Sequence, residues 1–201
     1  MKKIALIIFL AFSNQAFATD NTFFLKPSVS IEYVAPKIVK SGVNSEFRTS
    51  GNLFHQIGDI SNFAIGGNLR VHKYLGFNAN WVQIDLKNSQ LQGAGSLSDR
   101  AQLGFDQYNL STLVYYPVVK DLFELFVEGG ASDVRSRLTY SENGNHVDQR
   151  KHQTVGFYGV GFQVNASDKD LIRFAWHRYA GRKAFIESEY SDIRIGYLRS
   201  F

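Results

Sequence analysis

Apolar and polar residues alternate with a period of two along eight stretches of the chain. In the first stretch, Val29 and Ile31 fall on one face, and Ser30 falls on the other. Alternation of this kind, in segments rich in aromatic and β-branched residues, predicts β-strands. The predicted strands cover residues 23–34, 61–71, 75–84, 107–116, 122–131, 154–165, 171–179 and 192–201.

The connections between these strands alternate between short and long. The short connections cover about 72–74, 117–121 and 166–170. The long connections cover about 35–59, 86–105, 132–153 and 180–189. This segregation is typical of outer-membrane barrels, in which short periplasmic turns alternate with long outer loops. A soluble two-sheet sandwich has no reason to sort its loops by length.

The polar faces of the strands also favour a barrel over a sandwich. They are rich in Gly, Ser, Asn and Ala with sparse charges, which suits the narrow interior of an eight-stranded barrel. Because an open sheet edge is not tolerated in hydrocarbon, the last strand must pair with the first. We therefore predict an all-β fold, an eight-stranded antiparallel up-and-down transmembrane β-barrel with short periplasmic turns and four long extracellular loops.

Aromatic residues gather near the ends of the predicted strands. Such girdles are found at the two interfaces of a membrane. They are Phe23, Tyr33, Tyr74, Trp81, Tyr108, Tyr116, Phe123, Trp176 and Phe201.

The N-terminus has the three parts of a secretory signal peptide. Lys2 and Lys3 precede an apolar run at 4–12, and Ala16-Phe17-Ala18 provides a cleavage site of small residues at its first and third positions. The run is too short for a transmembrane helix, which needs about 20 residues. We expect cleavage after Ala18, which divides the chain into a signal peptide at 1–18 and one barrel domain at 19–201. The mature protein is expected to cross the periplasm and insert into the cell outer membrane.

Composition excludes several classes of function. The formal charge of the chain is +4, and loss of Lys2 and Lys3 with the signal peptide reduces it to +2. This small charge and the predicted export argue against a nucleic-acid partner. The chain has no cysteine, so disulfides cannot stabilise it. The five histidines form no compact ligand spacing, and there is no Gly-rich phosphate loop, so we expect no metal and no cofactor.

The last strand resembles the final strand of a known group of membrane proteins. Alternating apolar and aromatic residues occur at Ile193, Ile195, Tyr197 and Phe201. Together with the signal peptide, the eight strands and the FVEGGA stretch at 126–131, they resemble the OmpA-like and OmpX-like small outer-membrane barrels of Gram-negative bacteria. The resemblance implies that the barrel assembly machinery reads these four residues as an assembly signal. Arg199 departs from the pattern, at a position that is usually apolar.

Charged residues of both signs occupy inward positions of the predicted barrel. They are Lys26, Glu32, Arg70, Glu124, Glu128, Arg173, Asp192 and Arg194, together with His177. Charges removed from water persist only when they are paired and hydrogen-bonded. We therefore expect a polar network that plugs the barrel, in which Glu124 or Glu128 meets Arg70, Arg173 or Arg194. A narrow gated pore through the same network is the alternative.

Enzymatic activity is a second alternative, because some eight-stranded barrels modify lipid A. The stretch at 173–179 loosely resembles the histidine region of lipid A deacylases. Those enzymes carry a serine two residues after the histidine, whereas here Tyr179 follows His177. His177 also falls on the inward face, away from a lipid substrate. We therefore expect no enzyme and no catalytic residue.

The long outer loops are where recognition is expected. The first contains Ile38, Val39, Phe47, Leu53 and Phe54, and the third contains Arg135, Arg137, His146, Arg150, Lys151 and His152. The basic third loop either contacts phosphates of lipopolysaccharide or is simply solvated. We expect a monomeric, non-enzymatic barrel in outer-membrane lipid, with a structural role or with contacts to host or matrix surface molecules.

Overall fold

Eight long β-strands dominate the computed structural model, which describes residues 25–39, 48–49, 62–87, 91–92, 102–142, 145–181 and 189–201. The long strands are β1 (Lys26–Val39), β2 (Phe63–His72), β3 (Leu75–Lys87), β4 (Gln102–Val119), β5 (Phe123–Glu142), β6 (Asn145–Asn165), β7 (Asp170–Tyr179) and β8 (Glu189–Ser200). Two further strands, Arg48–Thr49 and Leu91–Gln92, have two residues each and pair with one another. The predicted signal peptide and its cleavage site lie outside the described residues, as do Phe23, Phe47, Leu53 and Phe54.

The eight long strands close into one antiparallel barrel. Each long strand pairs with the long strand before it, and β8 also pairs with β1, from Ser28 opposite Ser200 to Val39 opposite Glu189. The closure leaves no open edge within the membrane, as hydrocarbon requires. The predicted eight-stranded up-and-down barrel is confirmed. No helix of membrane-spanning length and hydropathy lies in the described part of the chain.

The outer surface of the barrel carries the apolar face of each strand. Leu110, for example, is 66% exposed, whereas the neighbouring Ser111 points inward and is buried. A continuous exposed apolar belt is unfavourable in water but matches the hydrocarbon of a membrane. Aromatic side chains form a row at the end of this belt that lies away from the short turns. We call this row the aromatic margin. It comprises Phe63, Trp81, Tyr108, Tyr158 and Trp176.

Strands β4, β5 and β6 extend well beyond the aromatic margin. The prediction of a third long loop at 132–153 is wrong, because β5 continues to Glu142 and β6 begins at Asn145. The two strands stay in register from Asp133 opposite Thr154 to Glu142 opposite Asn145. We call this extension the projecting sheet; it consists of residues 102–107, 132–142 and 145–156.

Apolar residues change from outward to inward positions at the aromatic margin. On β3, Trp81 lies on the outer side, whereas Val82, Ile84 and Leu86 face inward and are almost completely buried. This reversal explains why Val82 and Ile84 interrupt the predicted alternation, and why the sequence pattern concealed the projecting sheet. Outside the membrane the outer face meets water, so the apolar side chains pack inside instead. They form a hydrophobic core with Leu103, Phe105, Val134, Leu138, Phe157, Tyr179 and Tyr190.

Candidate functional site

Eight of the nine predicted charged residues lie in the barrel interior, between the hydrophobic core and the short turns. Apart from Arg70, each is at most 7% exposed. Successive side chains of a strand point to opposite faces. These charged residues occupy the alternate positions whose side chains point into the barrel. The eight residues are Glu32 on β1, Arg70 on β2, Glu124 and Glu128 on β5, Arg173 and His177 on β7, and Asp192 and Arg194 on β8.

His177 lies between two carboxylates. Its Nδ1 is 2.9 Å from Oδ1 of Asp192, and its Nε2 is 3.0 Å from Oε2 of Glu128. An ionised carboxylate only accepts hydrogen bonds, so each ring nitrogen must carry a proton and donate. The geometry therefore assigns His177 as an imidazolium held between β5 and β8. The same carboxylate of Glu128 accepts hydrogen bonds from Ser111 and from Asn78, the latter at 3.3 Å.

Arg194 extends this network across the lumen. Its Nε and Nη2 each donate to the Asp192 carboxylate at 3.1 Å, and Nη2 donates to the Tyr179 hydroxyl at 2.6 Å. Its Nη1 donates to Oδ1 of Asn80 at 3.3 Å and lies 3.8 Å from Oε2 of Glu32. A planar guanidinium can serve several acceptors at once. Arg194 thereby connects β8 with β1, β3 and β7.

A second ionic cluster lies nearer the short turns. Arg70 donates from Nη1 and Nη2 to the two oxygens of Glu124 at 2.9 and 2.8 Å, a bidentate geometry. Gln163 donates to Glu124 at 2.6 Å and accepts from Arg173 at 3.0 Å. The Arg70 guanidinium also lies over the Tyr115 ring, 4.4 Å from its centroid. The cluster therefore links β2, β4, β5, β6 and β7.

Charge balance accompanies this geometry. Among the described interior residues, the carboxylates are Glu32, Glu124, Glu128 and Asp192, and the guanidiniums are Arg70, Arg173 and Arg194. An imidazolium at His177 supplies the fourth positive charge. Buried charges are costly unless they are compensated, and the equal numbers of acidic and basic groups provide this compensation.

Comparison with known proteins adds to this description. No protein-family model matches the chain, and no curated protein matches it in sequence. Among solved structures, Ail, the attachment invasion locus protein of Yersinia pestis, matches with a TM-score of 0.57 and 15% identity, over 88% of this chain and 98% of that chain. Neisserial surface protein A matches with a TM-score of 0.55 and 8% identity, over 88% and 97%. OprG from Pseudomonas aeruginosa matches with a TM-score of 0.52 and 11% identity, over 87% and 95%.

The chain has the fold of the small outer-membrane β-barrels. The resemblance inferred from the sequence is confirmed at the level of the fold. In this outer-membrane barrel fold, the short turns lie on one side of the apolar belt and the projecting sheet on the other.

One expected feature of the interior network is corrected by the structure. Lys26 does not join the network; its Nζ donates to the carbonyl oxygen of Asp168 at 3.2 Å, in the turn before β7. The residue lies at the first position of β1, at the rim of the barrel, where a long side chain can reach water and turn carbonyls. The expected contact of Glu124 or Glu128 with an arginine is present between Glu124 and Arg70, while Glu128 contacts His177.

Several residues of the network were not foreseen from the sequence. Tyr179 and Tyr190 are buried and place their hydroxyls on Arg194 and Asp192, and Gln163 bridges Glu124 and Arg173. The available signal was an aromatic or amide side chain on the polar face of a strand. That signal becomes specific only when the register across the barrel is known.

The deacylase-like role considered for His177 does not fit this site. The side chain is buried on the inner face, and both ring nitrogens are bound by carboxylates. A general base needs a ring nitrogen within reach of the proton that it removes. No group of three or more potential metal ligands occurs in the described part of the chain.

The final strand presents its predicted lipid-facing residues outward. Ile193, Ile195, Tyr197 and Phe201 alternate with buried inward residues. The position of Arg199 is explained by Asp170, whose carboxylate lies 3.5 Å from Nη1 of Arg199 and accepts a hydrogen bond from Tyr197. The cation therefore stays at the rim, beside an anion.

Proposed function

We propose that this protein is a non-enzymatic outer-membrane barrel that holds the projecting sheet outside the cell for contact with host or matrix surface molecules. Export by the predicted signal peptide, cleavage after Ala18 and residence in the outer membrane as a monomer belong to the same proposal. The fold shared with outer-membrane barrels supports the location. The observation that carries the contact function is an edge of the projecting sheet that pairs with no other strand in the described part of the chain, which we call the free edge.

The free edge belongs to β6. This strand pairs with β5 along almost its whole length, but with β7 only from Phe157 to Asn165. In the described part of the chain, the stretch at 145–155 therefore has a neighbouring strand on one side only. Unpaired backbone groups of an edge strand are a template for an added strand. Exposed Arg150, Lys151 and His152 on this stretch restrict indiscriminate pairing, as charges on edge strands do.

The lumen supports a scaffold rather than a transport path. The ionic clusters join strands that are not neighbours in the barrel, β2 with β5 and β5 with β7, and the hydrophobic core lies between the clusters and the outside. An ion that crossed would have to displace compensated charges and then pass apolar side chains, and both steps are unfavourable. We infer that the barrel acts as a rigid support.

Shortening the projecting sheet tests the proposed contact function. The variant joins Ser136 to Lys151 through Asn-Gly, a two-residue turn that fits a hairpin; these two residues already pair in register. Bacteria that display the wild type should bind a basement-membrane matrix preparation, and the shortened variant should lose most of that binding. Heat-modifiable gel mobility of both proteins verifies that the barrel is folded.

A charge variant is the matched control. Arg150→Gln combined with Lys151→Gln keeps the backbone edge and should retain most of the binding. Equal binding by the shortened variant would contradict the proposal, and equal loss in the charge variant would show that charge rather than the edge makes the contact. Mass spectrometry of lipid A from cells with and without the protein should show no difference.

Assembly through the final strand is a further part of the proposal. Ile193, Ile195, Tyr197 and Phe201 lie on one outward face, where the assembly machinery can contact them during insertion. The support is the resemblance of this pattern together with its outward placement.

A further inference from the structure

A shallow groove lies on the outer surface of β3, β4, β5 and β6, immediately beyond the aromatic margin. Its volume is about 530 Å³, within the range of small-molecule sites. Gly104 lies in its wall, and the missing side chain opens the depression. A Cβ atom at Gly104 would meet nothing closer than the Ile84 carbonyl oxygen at 3.8 Å. The groove can therefore be filled by substitution without strain on the backbone.

The register places the part of this groove nearest the aromatic margin at the level of lipid headgroups. Trp81 and Tyr108 of the aromatic margin are paired, and the next outward-facing pair is Gln83 with Asp106. The pair after that is Asp85 with Gly104. Two residues of a tilted strand rise about 5 Å, so these pairs lie about 5 and 10 Å beyond the margin. The headgroup layer on each side of a bilayer is about 5 to 8 Å thick.

The groove has a basic wall and an acidic, amide-rich wall. Arg135, Arg137 and Arg150 of β5 and β6 line one side. Asp85, Asp106, Gln83 and Gln102 of β3 and β4 line the other, and Gln102 donates to Asp85 at 2.9 and 3.1 Å. Arginine suits phosphate, whereas carboxylates and amides accept hydrogen bonds from hydroxyl groups. A simple anion would be bound by the basic wall alone, whereas the opposite wall suits hydroxyl groups.

Arg135 is available for a ligand. It lies opposite Asp106 in the register, yet within the described residues it has no carboxylate at ion-pair distance. Its guanidinium instead lies over the Tyr108 ring, 5.7 Å from the centroid. This contact holds the charge beside the aromatic margin.

The two other arginines on this wall are only partly neutralised. Arg137 and Arg150 share one carboxylate, that of Asp148, at 3.1 and 2.9 Å. The hydrogen bond from Arg150 lowers the pKa of the Asp148 carboxyl, so Asp148 stays ionised across the physiological range. One carboxylate for two guanidiniums leaves positive charge for a phosphate.

We propose that this groove binds the phosphorylated sugar headgroup of an outer-leaflet glycolipid of the lipid A type. The phosphate lies against Arg135 and Arg137, and sugar hydroxyls donate to Asp106 and the amides on the opposite wall. The inference rests on the proposed outer-membrane location but not on the contact function of the projecting sheet. It assigns a lipid site to the outer surface of the barrel itself.

Native mass spectrometry of the purified full-length mature barrel, titrated with lipids in detergent, tests this site. The probes are lipid A with both phosphates, lipid A stripped of its phosphates, and phosphatidylglycerol. Lipid A should bind at least about tenfold more tightly than either of the others, because each charge-assisted hydrogen bond contributes about a factor of ten. Inorganic phosphate at the same concentration should not displace it.

Three variants locate the site on the barrel. Arg135→Gln and Gly104→Phe should each weaken lipid A binding about tenfold, the first by removing a donor and the second by filling the groove. Arg178→Ala is the control, because Arg178 is an exposed arginine on β7, away from the groove. Heat-modifiable gel mobility shows that each variant is folded.

Three results would overturn the assignment. Equal affinity for lipid A and phosphatidylglycerol would show non-specific attraction to anionic lipid. Displacement by inorganic phosphate would show a free-anion site, and unchanged binding by Gly104→Phe would place the lipid elsewhere. Since Gly104→Phe leaves the free edge of β6 intact, matrix binding by cells should be unchanged, so failure here is distinguishable from failure of the contact function.

Discussion

Replacing Asp192 by asparagine removes one negative charge from the centre of the lumen with almost no change of shape. The carboxylate accepts hydrogen bonds from His177 at 2.9 Å, from two nitrogens of Arg194 at 3.1 Å each, and from the Tyr190 hydroxyl at 3.0 Å. In the variant, the amide group must turn an N–H toward at least one of these donors. Arg194 and His177 then remain buried with too few acceptors.

The expected loss of stability follows from the burial of this pair. Removing one partner of a buried ion pair costs about 3–5 kcal/mol, because the remaining charge is left uncompensated. Solvent does not reduce this figure, since the side chains of Asp192 and Arg194 are 0% and 2% exposed. With a urea dependence of about 2 kcal/mol per molar, the unfolding midpoint should fall by about 1.5–2.5 M.

Urea unfolding of the barrel in phospholipid vesicles, followed by gel mobility and tryptophan fluorescence, measures this change. Asp148→Asn is the control, because that carboxylate also binds two basic side chains, those of Arg137 and Arg150, but is exposed. Its midpoint should hardly change, since exposed ion pairs contribute little. A midpoint for Asp192→Asn that fell no further than that of Asp148→Asn would refute the reasoning. A double-mutant cycle with Arg194→Gln should give a coupling energy of about 0.5–3 kcal/mol.

Three further predictions concern the walls and the end of the barrel. Gly159→Ala should destabilise the barrel by about 1–3 kcal/mol in urea unfolding, because its Cβ would lie 2.4 Å from Cδ2 of His177. Gly129→Ala, with nothing within 4 Å of its Cβ, should leave the unfolding midpoint unchanged. Equal destabilisation by the two glycine substitutions would show that crowding at Gly159 is not the cause. Tyr179→Phe should cost about 1–3 kcal/mol in the same assay by removing a 2.6 Å hydrogen bond to a buried guanidinium, and no change would show that Arg194 finds another acceptor. Deletion of Phe201, whose side chain is 73% exposed, should slow insertion by the reconstituted assembly machinery yet hardly alter the unfolding midpoint; an unchanged insertion rate would argue against the assembly signal.

The sequence sufficed for the strands within the membrane because one physical contrast governs them. Lipid outside and a narrow polar lumen inside impose a strict period of two, so Leu110 and Ser111 could be assigned to opposite faces without any structure. Beyond the aromatic margin the surroundings are reversed. There the apolar residues point inward, and Val134 and Leu138 belong to strands although the segment was predicted to be a loop.

Which interior charged residues contact one another could not be predicted from the alternation. Alternation placed Glu124, Glu128 and the arginines in one interior, but the stagger between strands decides which of them meet. Glu128 and His177 are 49 positions apart in the chain and touch only because β5, β6 and β7 align in one register. Lys26 shows a second limit of prediction from sequence. Alternation assigned its side chain to the inward face, but Lys26 is the first residue of β1 and therefore lies at the rim of the barrel.

Planar-bilayer recording tests the central claim of a sealed lumen most directly. The wild-type barrel should show no stable discrete conductance, because compensated charges and the hydrophobic core close the path. A stable discrete conductance in the wild type that changes with Glu128→Ala would contradict the account and identify the network as a gated ion pathway.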